Sequence, residues 1–219
     1  MIQPFYQEPG IVIYHGDNAL VLPELGQFDL VLTDPPYGIG ADKAAAAAAS
    51  SSNPHGWAYY GDTDWDQARP GKEVFDQLLA MSEGQIIWGG NYFADMLPAS
   101  MGWLVWDKGQ RNFSLADVEL AWTSFWVAAR AFTLARSKAL KDGKQHPTQK
   151  PLDLMKWCIQ GAQKHLKKEK ITILDPFMGS GTTLRAAKDL GVSCVGIDAE
   201  QKYCEIAAGR MSQGVLALF

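Results

Sequence analysis

Short apolar runs alternate with amphipathic stretches along this chain. The runs at 12–14, 29–33, 85–88, 103–106, 120–125, 171–174 and 193–197 are bounded by turn residues and are too short for helices, so they read as strands. Between several of them, 74–81, 151–164, 182–189 and 199–211 place apolar residues three and four apart, the spacing of a helix with one buried face. Strand and helix taking turns in this way predict an α/β fold, with a mostly parallel sheet covered by helices on both faces.

Two stretches break the alternation. Residues 38–66 hold a run of six alanines, Ala44 to Ala49, then Ser50-Ser51-Ser52 and further turn residues. This segment reads as a long mobile loop beside the second strand, and long loops in compact domains are commonly lids or disordered segments. The second stretch, 128–150, carries Arg130, Arg136, Lys138, Lys141, Lys144 and Lys150 against one acid, Asp142. It is equally readable as solvated surface or as a phosphate-facing patch.

Composition narrows the class. At 219 residues, 47% hydrophobic and 20% charged, the chain suits one main globular domain with a single core. It has no apolar run of the length a membrane helix needs, and residues 1–10 lack the charged start and apolar centre of a signal peptide, so a cytoplasmic protein is expected. Cys158, Cys194 and Cys204 are odd in number and lack paired spacing, which points to buried free thiols rather than disulfides or a zinc site. The four histidines form no ligand cluster, and no metal is expected. A net charge of −4 excludes a uniformly basic surface but not a local basic face.

The candidate chemistry gathers at two strand ends. Asp34-Pro35-Pro36-Tyr37 closes one apolar run, and Asp175-Pro176-Phe177-Met178-Gly179-Ser180-Gly181-Thr182 closes another. In an open α/β sheet the carboxyl ends of the strands form the ligand crevice, so both motifs face one site. Gly179-Ser180-Gly181 before the helix opened by Thr182 supplies a tight turn and free amides at a positive helix terminus. Asp198 ends the next strand about twenty residues later, where an acid bonds ribose hydroxyls in dinucleotide folds. Together they predict an adenosine-containing cofactor, although Asp198 would equally serve as a helix cap.

The other motif says what such a cofactor is for. Asp34 and the Pro35 carbonyl are two acceptors, the prolines stiffen the backbone, and Tyr37 offers a flat face. Two acceptors and a ring match an exocyclic amino group on a nucleobase. Binding its two protons favours a pyramidal nitrogen with its lone pair directed outward, ready to attack an electrophilic methyl group.

These segments resemble the amino-methyltransferases of DNA, which use S-adenosylmethionine to methylate adenine-N6 or cytosine-N4. The catalytic motif precedes the glycine motif here, the permuted order called the beta class. The resemblance spans nearly the whole chain and implies one methyltransferase domain over 1–219, with a Rossmann-like, seven-stranded, circularly permuted sheet. It implies catalytic roles for Asp34, Pro35, Pro36 and Tyr37. It also implies cofactor contacts from Asp17, Asp34, Thr148, Gln149, Lys150, Asp175, Phe177, Gly179, Ser180, Gly181, Thr182 and Asp198. Thr148, Gln149 and Lys150, within His146-Pro147-Thr148-Gln149-Lys150-Pro151, would meet the methionine end of the cofactor, and Asp17 its adenine amino group. Asp17 also reads as a turn or cap residue.

Double-stranded DNA is the implied partner, and a homodimer is a candidate assembly because this class often pairs subunits. Residues 38–66 and 128–144 would touch the DNA, with Arg130, Arg136, Lys138, Lys141 and Lys144 on phosphates. The target base would leave the duplex, since its amino group is out of reach while stacked. Asn91, Phe93 and Trp122 are secondary candidates for the base pocket, against the plainer expectation that strand aromatics are core. Aspartate at the first motif position is typical of adenine-N6 enzymes and serine of cytosine-N4 enzymes, so adenine is favoured. The alternatives are a cytosine-N4 enzyme and a catalytically inactive DNA-binding module of the same fold. The alanine run carries no chemistry in any of these readings.

Overall fold

In the computed structural model, residues 2–40, 66, 68–111, 116–135 and 149–213 are described. Nine strands form one sheet in the order β1-β2-β9-β8-β3-β4-β6-β5-β7. They are β1 (Tyr6–Glu8), β2 (Ile11–His15), β3 (Phe28–Thr33), β4 (Ser82–Trp88), β5 (Trp103–Asp107), β6 (Val118–Thr123), β7 (Arg130–Thr133), β8 (Thr172–Asp175) and β9 (Ser193–Asp198). Five described α-helices accompany them: α1 (Asn18–Val21), α2 (Lys72–Ala80), α3 (Leu152–Leu166), α4 (Thr182–Asp189) and α5 (Gln201–Ser212).

The centre of the sheet is parallel: β2 pairs with β9, β9 with β8, β8 with β3 and β3 with β4. β6 lies antiparallel between β4 and β5, and β1 runs antiparallel on the far edge. The expected seven strands become nine because β1 and β7 add to the edges. Both are short, Tyr-Gln-Glu and Arg-Ala-Phe-Thr, and at least half polar, so neither shows as an apolar run. β7 also shows that the start of the basic stretch, around Arg130, is edge strand rather than loop.

Period-two alternation places the core on both faces. Leu30 and Leu32 of β3, with Ile86 and Trp88 of β4, pack under α3, α4 and α5 through Leu154, Ile159, Leu184 and Ala207. Val31 faces the other way with Leu78, Leu174 and Ile197, while Ile87 joins Phe75, Phe93 and Trp122. Burying β3 on both faces fixes its register, since a one-residue slip would exchange the two sets. Its last residues are thereby held in place at the carboxyl edge. Cys158, Cys194 and Cys204 are buried free thiols, as their spacing suggested.

Candidate active site

Five parallel strands deliver their carboxyl ends to one edge. From β2 come Gly16 and Asp17, from β9 Asp198, from β8 Asp175, from β3 Asp34 and from β4 Gly89 and Gly90.

The glycine turn after β8 is held from several directions. Gly179 and Gly181 adopt positive φ, 51° and 76°, a conformation costly for residues bearing a Cβ. Gly181 serves as the N-cap of α4, and a Cβ there would lie 2.8 Å from that of Ala207. Gly179 has nothing within 4 Å of its Cβ direction, so a ligand can approach its backbone. Asp198 binds the turn, its Oδ2 accepting from the Gly179 amide at 2.9 Å and its Oδ1 from the Glu200 amide at 2.9 Å. Burial pushes the Asp198 carboxyl up to about 6.

Asp175 shapes the turn from within. Its Oδ1 accepts from Thr33 Oγ1 at 2.8 Å and from the Phe177 amide at 3.3 Å, and burial pushes it up to about 7. Its carboxylate is therefore turned toward neighbouring protein groups rather than open space, while Phe177 is half-buried at the turn. Ser180 donates to Gln149 Oε1 at 3.2 Å, which ties the segment before α3 to the turn; Ser180 and Thr182 are themselves largely buried. Asp17 caps α1, accepting from the Ala19 amide at 2.8 Å. Beside it, Asn18 donates to the Pro176 carbonyl at 2.7 Å while its own Oδ1 is buried without a protein partner.

The Asp34 end is polar and half-buried. Asp34 Oδ1 accepts from the Tyr37 hydroxyl at 2.5 Å, and Oδ2 accepts from Lys150 Nζ at 2.5 Å. Burial pushes the Asp34 carboxyl up, and the Lys150 and Tyr37 contacts pull against that shift. Tyr37 itself is held far above its usual range by burial and by the adjacent Asp34 charge. Its ring stacks on Tyr92 at 4.7 Å and 17°, and meets Phe93 edge-on at 6.1 Å. Gly89 takes a positive φ of 70° against that ring, where a Cβ would lie 2.1 Å from Tyr37 Cε1. Beyond Tyr37, the Gly38 amide donates to Asp66 Oδ1 at 2.8 Å, fastening the backbone that leaves the motif.

Thr33, the residue before Asp34, carries the hydroxyl that reaches Asp175. One hydrogen bond thus joins the two motifs across adjacent strands. This is the convergence the two strand ends predicted, because β8 was inserted beside β3 from a distant part of the chain.

A family model described as DNA methylase, of the N6/N4 group, matches residues 87–209, more than half of the chain. The chain belongs to that family. Among curated relatives, it is 26% identical to the type II methyltransferase M2.LlaDCHI of Lactococcus lactis subsp. cremoris, over 98% of this chain and 94% of that protein. It is also 26% identical to M2.DpnII of Streptococcus pneumoniae, over 96% and 93%. Among solved structures, the M1.HpyAVI–SAM complex superposes with a TM-score of 0.60 at 20% identity, covering 93% of this chain and all of that one. PvuII DNA methyltransferase, titled cytosine-N4-specific, gives 0.63 at 14% identity over 99% and 91%. The shared architecture agrees with the permuted sheet described above.

Within this DNA methylase, the expected site residues fall into three groups. Asp34, Pro35, Pro36, Tyr37, Gln149, Lys150, Asp175, Phe177, Gly179, Ser180, Gly181, Thr182, Asp198 and Asp17 all lie at or beside the carboxyl edge. Arg130 stands apart, exposed on edge strand β7. Thr148, Arg136, Lys138, Lys141 and Lys144 lie outside the described residues, as does 41–65 within the expected loop. Phe93 and Trp122 are core, Trp122 donating from its indole to the Pro98 carbonyl at 2.8 Å, whereas Asn91 is exposed.

Lys150 was expected at a cofactor carboxylate; the carboxylates it meets here are those of Asp34 and Glu119, the latter at 3.1 Å. The sequence reading gave no role of their own to Glu119, on β6, or to Lys108, directly after β5, which pair at 2.7 Å. Local patterning carries no sign of such pairs, because their members come from strands that meet only in the folded sheet. The one available signal was a charged residue within one apolar strand segment and another just past the end of its neighbour. No described helix is long and apolar enough to cross a membrane, and no described group of His, Cys, Asp and Glu could hold a metal ion.

Proposed function

We propose that this DNA methylase transfers a methyl group from S-adenosylmethionine to the exocyclic N6 of adenine in duplex DNA, after the base has left the stack. S-adenosylmethionine is the methyl donor. The observation that carries the reading is the juxtaposition of the Asp34 carboxylate with the glycine turn, bridged by Thr33 and Asp175 at 2.8 Å. The residues fit that cofactor: a turn open at Gly179, a half-buried acid at Asp198 for hydroxyl groups, and the orphaned Asn18 Oδ1 nearby.

Asp34 and the Pro35 carbonyl accept the two amino protons and draw the nitrogen toward pyramidal geometry. The Tyr37 hydroxyl orients the Asp34 carboxylate, and its ring, backed by Tyr92, forms an aromatic platform for the base. Lys150 favours the ionised, accepting form of the partly buried Asp34 against the effect of burial. The cofactor brings a sulfonium methyl group, and the protein supplies in-line positioning. Asp17, Gln149, Phe177, Gly179, Ser180, Gly181, Thr182 and Asp198 line the cofactor end, with Asp175 fixing the turn beneath them. Arg130 and the lysines and arginine of 136–144 serve DNA phosphates.

The aspartate of the motif favours adenine. Incubating the protein with methyl-labelled cofactor and unmethylated duplex DNA, then digesting to nucleosides, is expected to give N6-methyladenine. N4-methylcytosine in its place would select the other base, and no labelled nucleoside would overturn the reading.

A further inference from the structure

We infer that Glu119 is a positioning residue for methyl transfer: anchored by Lys108, it holds Lys150 against the Asp34 carboxylate. The inference rests on the methyltransferase reading and adds to it a pair that neither strand-end motif contains.

Four charges alternate across the sheet. Lys108 Nζ lies 2.7 Å from Glu119 Oε1; Lys150 Nζ lies 3.1 Å from Glu119 Oε2 and 2.5 Å from Asp34 Oδ2. The lysine side chains are 9% and 5% exposed, so neither is a surface charge solvated by default. Their surroundings are aromatic: Lys108 sits 5.2 Å from the Trp106 ring, and Lys150 sits 5.7 Å from both Trp88 and Tyr37. A buried ammonium with a single carboxylate has one strong partner and two further protons to place. Lys150 places them on Glu119 and on the Tyr37 hydroxyl, the latter at 3.2 Å. Without Glu119, the lysine has only the Asp34–Tyr37 side to hold it, and Lys108 loses its partner in a poorly hydrated place.

Position matters because Lys150 also belongs to the segment that reaches the cofactor turn. Gln149, its neighbour, accepts from Ser180. β6, which carries Glu119, pairs with β4, and Trp106 of β5 lies opposite Glu119 in the β5–β6 register. Glu119 thus ties a segment remote in sequence to the half of the sheet that carries neither motif. The groups facing Lys150 are Asp34 and Tyr37 from the end of β3, Glu119 from β6 and the Trp88 ring from β4; Lys108 faces Glu119 from the other side. The two carboxylates raise the Lys150 pKa and burial lowers it, the net direction being well above the ordinary lysine value. The same two ammonium groups hold Glu119 down to about 2.

Glu119→Gln keeps the shape and removes the charge. Measured against wild type and Asp34→Ala on unmethylated duplex DNA, it is expected to lower kcat by about 10- to 30-fold, with KM for the cofactor little changed. It also takes away one of the charges that keep Lys150 protonated. The alkaline limb of kcat should therefore move to lower pH than in the wild type. Its effect should also be far from additive with Lys150→Met, because both act through one ammonium group. Should Glu119→Gln fail to fold, Lys108→Met carries the test, with an expected loss of about 3- to 10-fold in kcat that is again non-additive with Lys150→Met. Wild-type rates, or a loss that adds fully to Lys150→Met with an unchanged alkaline limb, would overturn the role of Glu119. A wild-type protein that transfers no methyl group would instead overturn the reading on which it rests.

Discussion

Two aspartates followed by proline close adjacent strands of this protein and have come to different surroundings. Asp34 and Asp175 both end a parallel strand, and Thr33 of the first hydrogen-bonds Asp175 of the second. Asp34 keeps 23% of its side chain exposed and meets an ammonium group and a phenol. Asp175 is 3% exposed and has hydroxyl and amide donors, with burial raising its carboxyl to about 7. Burial raises both carboxyls, but at Asp34, on the edge of a crevice, an ammonium group opposes the shift, whereas Asp175 is a near-neutral link inside the turn. The dipeptide is the same, so its role is set by what arrives from elsewhere: Lys150 at Asp34, and Thr33 with the Phe177 amide at Asp175.

Removing the arriving cation should break the contrast most strongly. Lys150→Met leaves Asp34 and Glu119 without their shared ammonium, and kcat should fall by about 10²-fold or more. Lys150 favours the ionised form of Asp34, so its loss moves the acid limb of the pH–rate profile to higher pH. A profile unmoved in this variant would remove Lys150 from the account. A smaller effect is expected from Gly89→Ala, whose new Cβ collides with the Tyr37 ring at 2.1 Å and displaces the phenol that orients Asp34. Single-turnover rates should drop by about tenfold.

The Asp175 side of the comparison is read in stability. A carboxyl raised from 3.8 to about 7 is bound to its proton in the folded protein while the unfolded chain has ionised. Its contribution is therefore fully present below about pH 4 and declines as pH rises through 7. Asp175→Asn should flatten that decline, by up to ~4 kcal/mol between the two ends. Denaturant unfolding of both proteins at matched pH values measures it, and parallel pH dependences would contradict the assignment. Thr33→Val, which deletes the bridge alone, should cost about 1 kcal/mol in the same unfolding experiment.

Much of this was legible because the relevant signals are local. β3 and β8 are continuous apolar runs ended by Asp-Pro, and α4 begins where the glycines end, at Thr182, as its spacing predicted. β1 and β7 were not, since an edge strand needs little apolar surface and can be three or four residues long. The ion-pair row was hidden for a different reason. Lys150 looked like a cofactor ligand by its motif, yet its neighbours Asp34 and Glu119 are brought by β3 and β6, far away in the chain. Asp17 caps α1, as its reading as a turn or cap residue predicted, just beyond the carboxyl end of β2.

The most direct test compares Asp34→Ala with wild type in two measurements on the same preparations: calorimetric binding of S-adenosylmethionine, and methyl-label transfer to duplex DNA under single-turnover conditions. Cofactor affinity is expected within a few-fold of wild type and transfer slowed by about 10³-fold or more, since one acceptor of the amino group is lost. Transfer continuing at the wild-type rate in Asp34→Ala would contradict that role of Asp34.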